Sequence, residues 1–382
     1  MERRRSIVFF IYIFNERRKY RDNLWINQKM STVFKIFGEK AWSFVNYCLS
    51  LPQSTNTSIM SRISYIDIAK GILISLLVLH HLIWTSVTFV KVPNDFLNAL
   101  YDLQMPLFVG YFIQAFFVIS GFCSNFSIPW RDFLWKQVKT LLVPNIAFTL
   151  LIHLYHGDFS GSLYDIIERG GWLWFVTALF VSKIVYYFVR RWIGNEYVIF
   201  GLFLVASFVG VCLNDRDAFF NYWWHRQTLT LLLFLALGNW LRRHIHNSRI
   251  WFFGAVYLVG IAACYLLHME VPYITAGFHT TKFTLGLHLL IAAGGSVAFL
   301  KLCSYLRYSP VFEYIGQNTL VIYMLHLDIL YPLIENFLDI YNKNTTEGSL
   351  LTTIAIWMTT MVLCLLLGKI IGTRYLRFMI GR

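Results

Sequence analysis

The 382 residues are 57% hydrophobic and only 14% charged, with a mean hydropathy of +0.55, so a water-soluble fold would lack the polar side chains to cover its own surface. A formal net charge of +13 raises nucleic acid as a partner, but the bases recur loop by loop between apolar runs, which argues against it. What remains is an all-α, polytopic membrane protein.

Residues 1–59 differ from the rest. Basic runs at Arg3–Arg5 and Arg17–Arg21 flank the apolar stretch Ile7–Phe14, which is too short to span and lacks a small-residue cleavage site. Two readings stand: a start codon assigned upstream of Met60, or an interfacial helix built on Val33, Phe34, Phe37, Trp42 and Phe44. We treat 1–59 as an N-terminal extension and 60–382 as one membrane domain.

Apolar segments of bilayer length follow at Ile66–Val90, Pro106–Phe122, Phe133–Tyr155, Trp172–Val189, Tyr197–Leu213, Thr228–Leu241, Ile250–Leu267, Phe283–Leu300, Tyr314–Ile334 and Leu350–Ile371, predicting about ten transmembrane helices in one bundle. Helices are required because backbone groups find no water in hydrocarbon, and long unbroken apolar runs do not build a barrel. Arg131, Lys136, Lys139, Arg190, Arg191, Arg242, Arg243, Lys301 and Lys369 fall in alternate loops, against Lys91, Arg169, Arg216, Arg226, Lys282 and Lys343 opposite. That asymmetry predicts an inner (plasma) membrane protein with both termini in the cytoplasm. The six cysteines show no CxxC pair and no metal-type spacing, so neither a disulfide nor a metal is expected.

Ionisable groups inside spans are costly and mark function. The first span carries Asp67, Lys70 and His81 on one face, Asp67 and His81 being about 40° apart around the helix but about 21 Å apart along it. Asp67 therefore cannot orient His81, and its ordinary role would be an i,i+3 pair with Lys70. The neighbouring His80 points about 140° away from Asp67, so only His81 looks along that face. His81 lies about 22 Å, and His326 of the ninth span about 18 Å, from the cytoplasmic ends. They suit one cavity if their helices adjoin, which the sequence does not specify. Tyr323, His326 and Asp328 are the groups at the right depth to orient His81. Arg131, Lys136 and Lys139 at the entry to the third span suit either topology or a phosphorylated ligand. Trp172, Trp174 and Phe175 open the fourth span, where tryptophans ordinarily form an interfacial belt.

Together these segments resemble membrane acyltransferase family 3, which includes surface-polysaccharide O-acetyltransferases and fucose 4-O-acetylase-like proteins. Asp67, Lys70, Gly71 and His81 look like its opening signature, although His80 stands where glycine is usual. Met105-Pro106-Leu107-Phe108 with Phe117-Val118-Ile119-Ser120-Gly121-Phe122 fits the second span. Lys136, Lys139 and Pro144 fit the third, Trp174 and Phe175 the fourth, and Gly316, Asn318, Tyr323 and His326 the ninth. The resemblance covers residue 62 to about 372.

It implies transfer of an acyl group, acetyl by expectation, from cytosolic acyl-CoA across the membrane to a hydroxyl of a glycan or glycolipid. His81 is then the general base or an acyl-carrying nucleophile, with His326 and Tyr323 beside it. Arg131, Lys136, Lys139, Asp67 and Lys70 line the acetyl-CoA entry, and Trp172, Trp174, Phe175 and Asn318 meet the acceptor. The rival is a glycan transporter, which would favour internal inverted repeats and broken helices.

Overall fold

The computed structural model describes residues 63–157, 173–214, 223–274, 279–306, 308–373 and 376–380. The extension expected at 1–59, and Trp172, lie outside the described residues. In chain order the helices are α1 (Ser64–Trp84), α2 (Asp95–Gln104), α3 (Phe112–Cys123), α4 (Trp130–Gln137), α5 (Val143–His156), α6 (Trp174–Trp192) and α7 (Glu196–Asn214). Then come α8 (Trp223–His244), α9 (Phe252–Leu266), α10 (Leu285–Cys303), α11 (Pro310–Gln317), α12 (Thr319–Asn336), α13 (Leu338–Asn342) and α14 (Thr346–Ile371). No strand occurs among the described residues, as backbone groups in hydrocarbon require.

Each of the ten expected segments is helical where it is described. Seven stretches are long and apolar enough to cross a bilayer: Ser64–Phe89, Asp95–Cys123, Trp130–Tyr155, Glu196–Leu213, Arg249–Leu266, Leu285–Cys303 and Thr346–Ile371. Two of the other three expected segments show why they stand apart. Helix α6 carries Lys183, Arg190 and Arg191 within 19 residues, and the ninth segment is two helices, the longer of which, α12, holds His326, Asp328, Pro332 and Glu335 within 18 residues. Asn318 sits at φ −108°, ψ 14° between α11 and α12, and its side-chain amide donates to Tyr314 O at 2.8 Å. A polar side chain satisfies a freed carbonyl there and ends the helix, a local competition that hydropathy does not register.

Three π-helical turns, Thr85–Phe89, Met105–Val109 and Val138–Leu142, extend α1, α2 and α4. Pro106 and Pro144 lie in or just after two of them, where a missing N–H is tolerated by the altered register.

Helix α1 packs against α2, α3, α10, α11, α12 and α14, so it forms the centre of the bundle. Helices α7 and α9 lie outside, turning Leu202, Val205, Phe208, Leu258 and Val259 outward, as lipid-facing helices do. Two backbone-to-backbone crossings fix the interior. A Cβ on Gly71 would collide with Phe312 O and one on Gly316 with Asp67 O, and Gly121 and Gly238 stand in the same reciprocal relation to Leu235 O and Val118 O. Small residues admit such close approach, on which helix association in lipid depends. At the basic end Lys301 of α10, 5% exposed, reaches across to bond Ile245 O at 2.8 Å, satisfying a carbonyl just after α8.

Candidate active site

The crossing of α1 and α11 brings two of the expected site residues together. Gly71 meets Phe312 and Gly316, while Gly316 meets Asp67 and Gly71, so the two chains run parallel from that contact. Ten residues beyond each glycine stands a histidine, and the rings of His81 and His326 meet edge to face with centroids 5.0 Å apart. The adjacency that the sequence left open is therefore present.

Hydrogen bonding defines what each ring can do. His326 Nδ1 lies 2.8 Å from Tyr323 O and 3.1 Å from Ile322 O. Carbonyls only accept, so Nδ1 carries the proton and the neutral ring presents a lone pair at Nε2. That Nε2, and Nδ1 of His81, are buried without a hydrogen-bond partner. His288 on α10 shows the contrast: its Nδ1 bonds Pro272 O at 3.1 Å and its Nε2 meets Gln114 Nε2 at 3.4 Å, a satisfied core histidine. His80 is likewise engaged, through Nδ1 to Gln104 Oε1 at 3.1 Å, and packs on Phe112. Of these four intramembrane histidines only His81 and His326 keep a buried nitrogen open, and they are neighbours.

An aromatic row leads away from the pair. Tyr323 lies 6.0 Å from His326 and 5.4 Å from Phe175 between centroids, and Phe175 touches Phe116, Phe117 and Trp174. The Tyr323 hydroxyl bonds the backbone of Phe175, in the first turn of α6 where amides lack intrahelical partners. Tyr323 thus ties α6 to α12. The first turn of α6 packs against the middle of α3 through Phe175, with Trp174 and Phe175 both half-buried. Below it Phe148, Val176, Val321, Met324 and Met379 form a buried cluster. Asn318, expected to meet acceptor, caps α11 as described above. Asp328 acts on His326 electrostatically.

At the basic end Asp67 pairs with Lys70 at 2.5 Å, the ordinary i,i+3 arrangement. Cys123 at the end of α3 lies within electrostatic reach of Lys70, Lys183 and Arg242, and Lys183 within reach of Lys136. Lys70, Lys183 and Arg242 of α1, α6 and α8 thus lie around the end of α3, with Lys136 of α4 near Lys183; Lys70 is held by Asp67, and Arg242 donates to Ser124 O at 3.3 Å. Arg131, Lys136 and Lys139 are all exposed on α4 and its π turn, and of these Lys136 joins the group. Lys183 was not singled out from the sequence. Its signal was there, a lysine inside an apolar helix. The neighbouring bases are otherwise structural: Arg190 and Arg243 both pair with Glu196. Among the described residues no group of three His, Cys, Asp or Glu is placed to hold a metal ion.

With this geometry in place, comparison with known families is decisive: the model of the acyltransferase domain matches residues 63–369. The chain belongs to membrane acyltransferase family 3. The match begins at the first turn before α1 and closes within α14, so it takes in both histidines of this acyltransferase and its cationic mouth. Acyltransferase activity follows from membership. No curated protein and no solved structure matches the chain.

Proposed function

We propose that the protein moves an acetyl group from cytosolic acetyl-CoA to a hydroxyl of a surface or envelope glycan, with the pair His81 and His326 as its catalytic centre. The observation that carries this reading is two adjacent imidazoles, His326 buried and His81 half-buried, each with a buried nitrogen that no protein group satisfies. Buried polar atoms are ordinarily bonded, so a pair left open in a packed interior is poised for a reactant.

Lys136, Lys183, Lys70 and Arg242 suit the phosphates of the coenzyme, whose pantetheine arm would pass toward the dyad. The acceptor hydroxyl attacks the thioester carbonyl, forming the ester C–O bond as the C–S bond breaks. His81 takes the hydroxyl proton and returns it to the departing sulfur, so the coenzyme leaves as the free thiol. His326, its tautomer set by two backbone carbonyls, presents its own Nε2 lone pair beside the open Nδ1 of His81 and would help to seat the attacking hydroxyl between the two rings.

Membranes supplied with acetyl-CoA and a thiol reagent test the reaction. Acceptor-dependent release of thiol, with a matching mass increase on the cell's surface glycans, is expected. Uptake of sugar into vesicles without thiol release would point to a transporter instead.

Two predictions concern the mouth. Charge reversal at Lys136 and Lys139 should raise KM for acetyl-CoA and leave KM for the acceptor unchanged; equal effects on both would return these lysines to setting topology. Lys183→Met should raise the donor KM about tenfold, the scale of one charge-assisted hydrogen bond. Measurement with dephospho-CoA thioesters should show that penalty shrink if Lys183 contacts the phosphate that they lack.

A further inference from the structure

Beyond the histidine pair, unsatisfied polar groups concentrate at one junction. Gln104, the last residue of α2, is 3% exposed, and its Oε1 meets His80 while its Nε2 has no partner. Thr85 and Ser86 open the π turn that follows α1, are 1% and 0% exposed, and their hydroxyls are also without partners. Helix α2 packs against both α1 and this π turn, and Thr85 lies one turn beyond His81.

Helical serines and threonines elsewhere behave differently. Ser75, Ser207, Thr353 and Thr360 each donate to the carbonyl four residues back, the usual outlet for a hydroxyl in an apolar helix. Thr149 and Ser182 share the unbonded state on other helices, and Gln114 Oε1 is open on α3; at the α1–α2 junction, by contrast, two of the open groups follow His81 on its own chain segment and the third belongs to the amide that bonds its neighbour His80. The π turn widens the helix there, a distortion that recurs at functional sites.

We infer that Gln104, Thr85 and Ser86 form a subsite for a hydroxyl of the acceptor sugar, next to the hydroxyl that His81 deprotonates. The chemistry selects a hydroxyl. If His80 donates to Oε1, the amide is left with a donor; if the amide is turned, it is left with an acceptor. A hydroxyl serves either, as a carboxylate or an ammonium does not. The junction lies at the end of α1 opposite the cationic mouth, so the donor's phosphates and this subsite approach the histidines from opposite directions. His80, bonded to Gln104 and packed on Phe112, positions the amide and is not itself a catalytic residue.

This inference rests on the acyl-transfer reading, and one experiment separates the two. Membrane vesicles carrying the full chain receive acetyl-CoA labelled in its acyl group, and label in glycan and thiol released are followed as the concentrations of acetyl-CoA and of added glycan are varied in turn. Gln104→Met, which keeps the side chain's volume, should raise the KM for glycan about tenfold, the loss of one hydrogen bond, with donor KM within about twofold of wild type. Thr85→Val, of the same shape as the native residue, should raise the glycan KM in the same direction and decides the matter if Gln104→Met does not fold. A fall in kcat with both KM values unchanged would mean a structural role and overturn the subsite. A wild type that neither transfers label nor releases thiol would overturn acyl transfer itself, and the subsite with it.

Discussion

Replacing His81 by alanine is expected to reduce acyl transfer to glycan by about 10²–10⁴, the contribution of a positioned general base, without reducing insertion or yield. His81 lies in the central helix with its open nitrogen facing no structural partner, so deleting the ring removes chemistry rather than a bond that holds the fold. His326→Ala should fall less in transfer, since His326 orients, and more in thermal stability, since its Nδ1 bonds two carbonyls of its own helix. Rates of labelled transfer and melting in detergent give both numbers. Wild-type transfer by the His81 variant would remove it from the mechanism.

The second large effect is expected far from any reacting atom. Gly71→Ala places a methyl group against the backbone of Phe312, and Gly316→Ala does the same against Asp67. Backbone cannot turn aside as a side chain does, so the helices must part, at a cost of about 1–3 kcal/mol by analogy with overpacked cores. The same parting separates the two imidazoles, and a shift of about 1 Å in an active site costs on the order of 10²-fold in rate. Gly201→Ala is the matched control, because nothing lies within 4 Å of the Cβ it would add. Loss of activity in the first two variants with the third unaffected ties the rate to the crossing. Equal activity in all three would show that the spacing of the rings tolerates separation of the helices.

Much of this was legible in the sequence, and the part that was not has physical reasons. Hydropathy marked the helices because the bilayer leaves the backbone no other way to satisfy itself. Helical arithmetic put His81 and His326 at similar depth and separated Asp67 from both, since rise and turn depend only on position in the chain. It did not show that α1 and α12 adjoin. That depends on two glycines whose significance lies in what they lack, and on their equal spacing from the histidines. The break at Asn318 was missed because one side chain competing for one carbonyl leaves no trace in an apolar average. Trp174 and Phe175 read as belt residues from position in the segment, and the ring contacts of Phe175 with α3 and with Tyr323 could not be read from there. Lys183 was overlooked among bases that serve topology, although a cation within an apolar helix is the rarer placement. Gln104 gave no signal at all, because an uncharged amide at a helix end is ordinary until its surroundings are known.

The break at Asn318 makes the two arms of the site mechanically unlike. From Gly71 to His81 runs unbroken helix, a stiff lever of about 15 Å, whereas the same number of residues from Gly316 to His326 contains an articulation. On the stiff arm, a tilt of ten degrees about the crossing would carry the ring about 2.6 Å only by moving all of α1 and the helices packed around it. On the other arm the joint absorbs the rotation locally. Any widening of the gap between the imidazoles therefore costs least on the side of His326, which leaves His81 the more firmly held of the two rings.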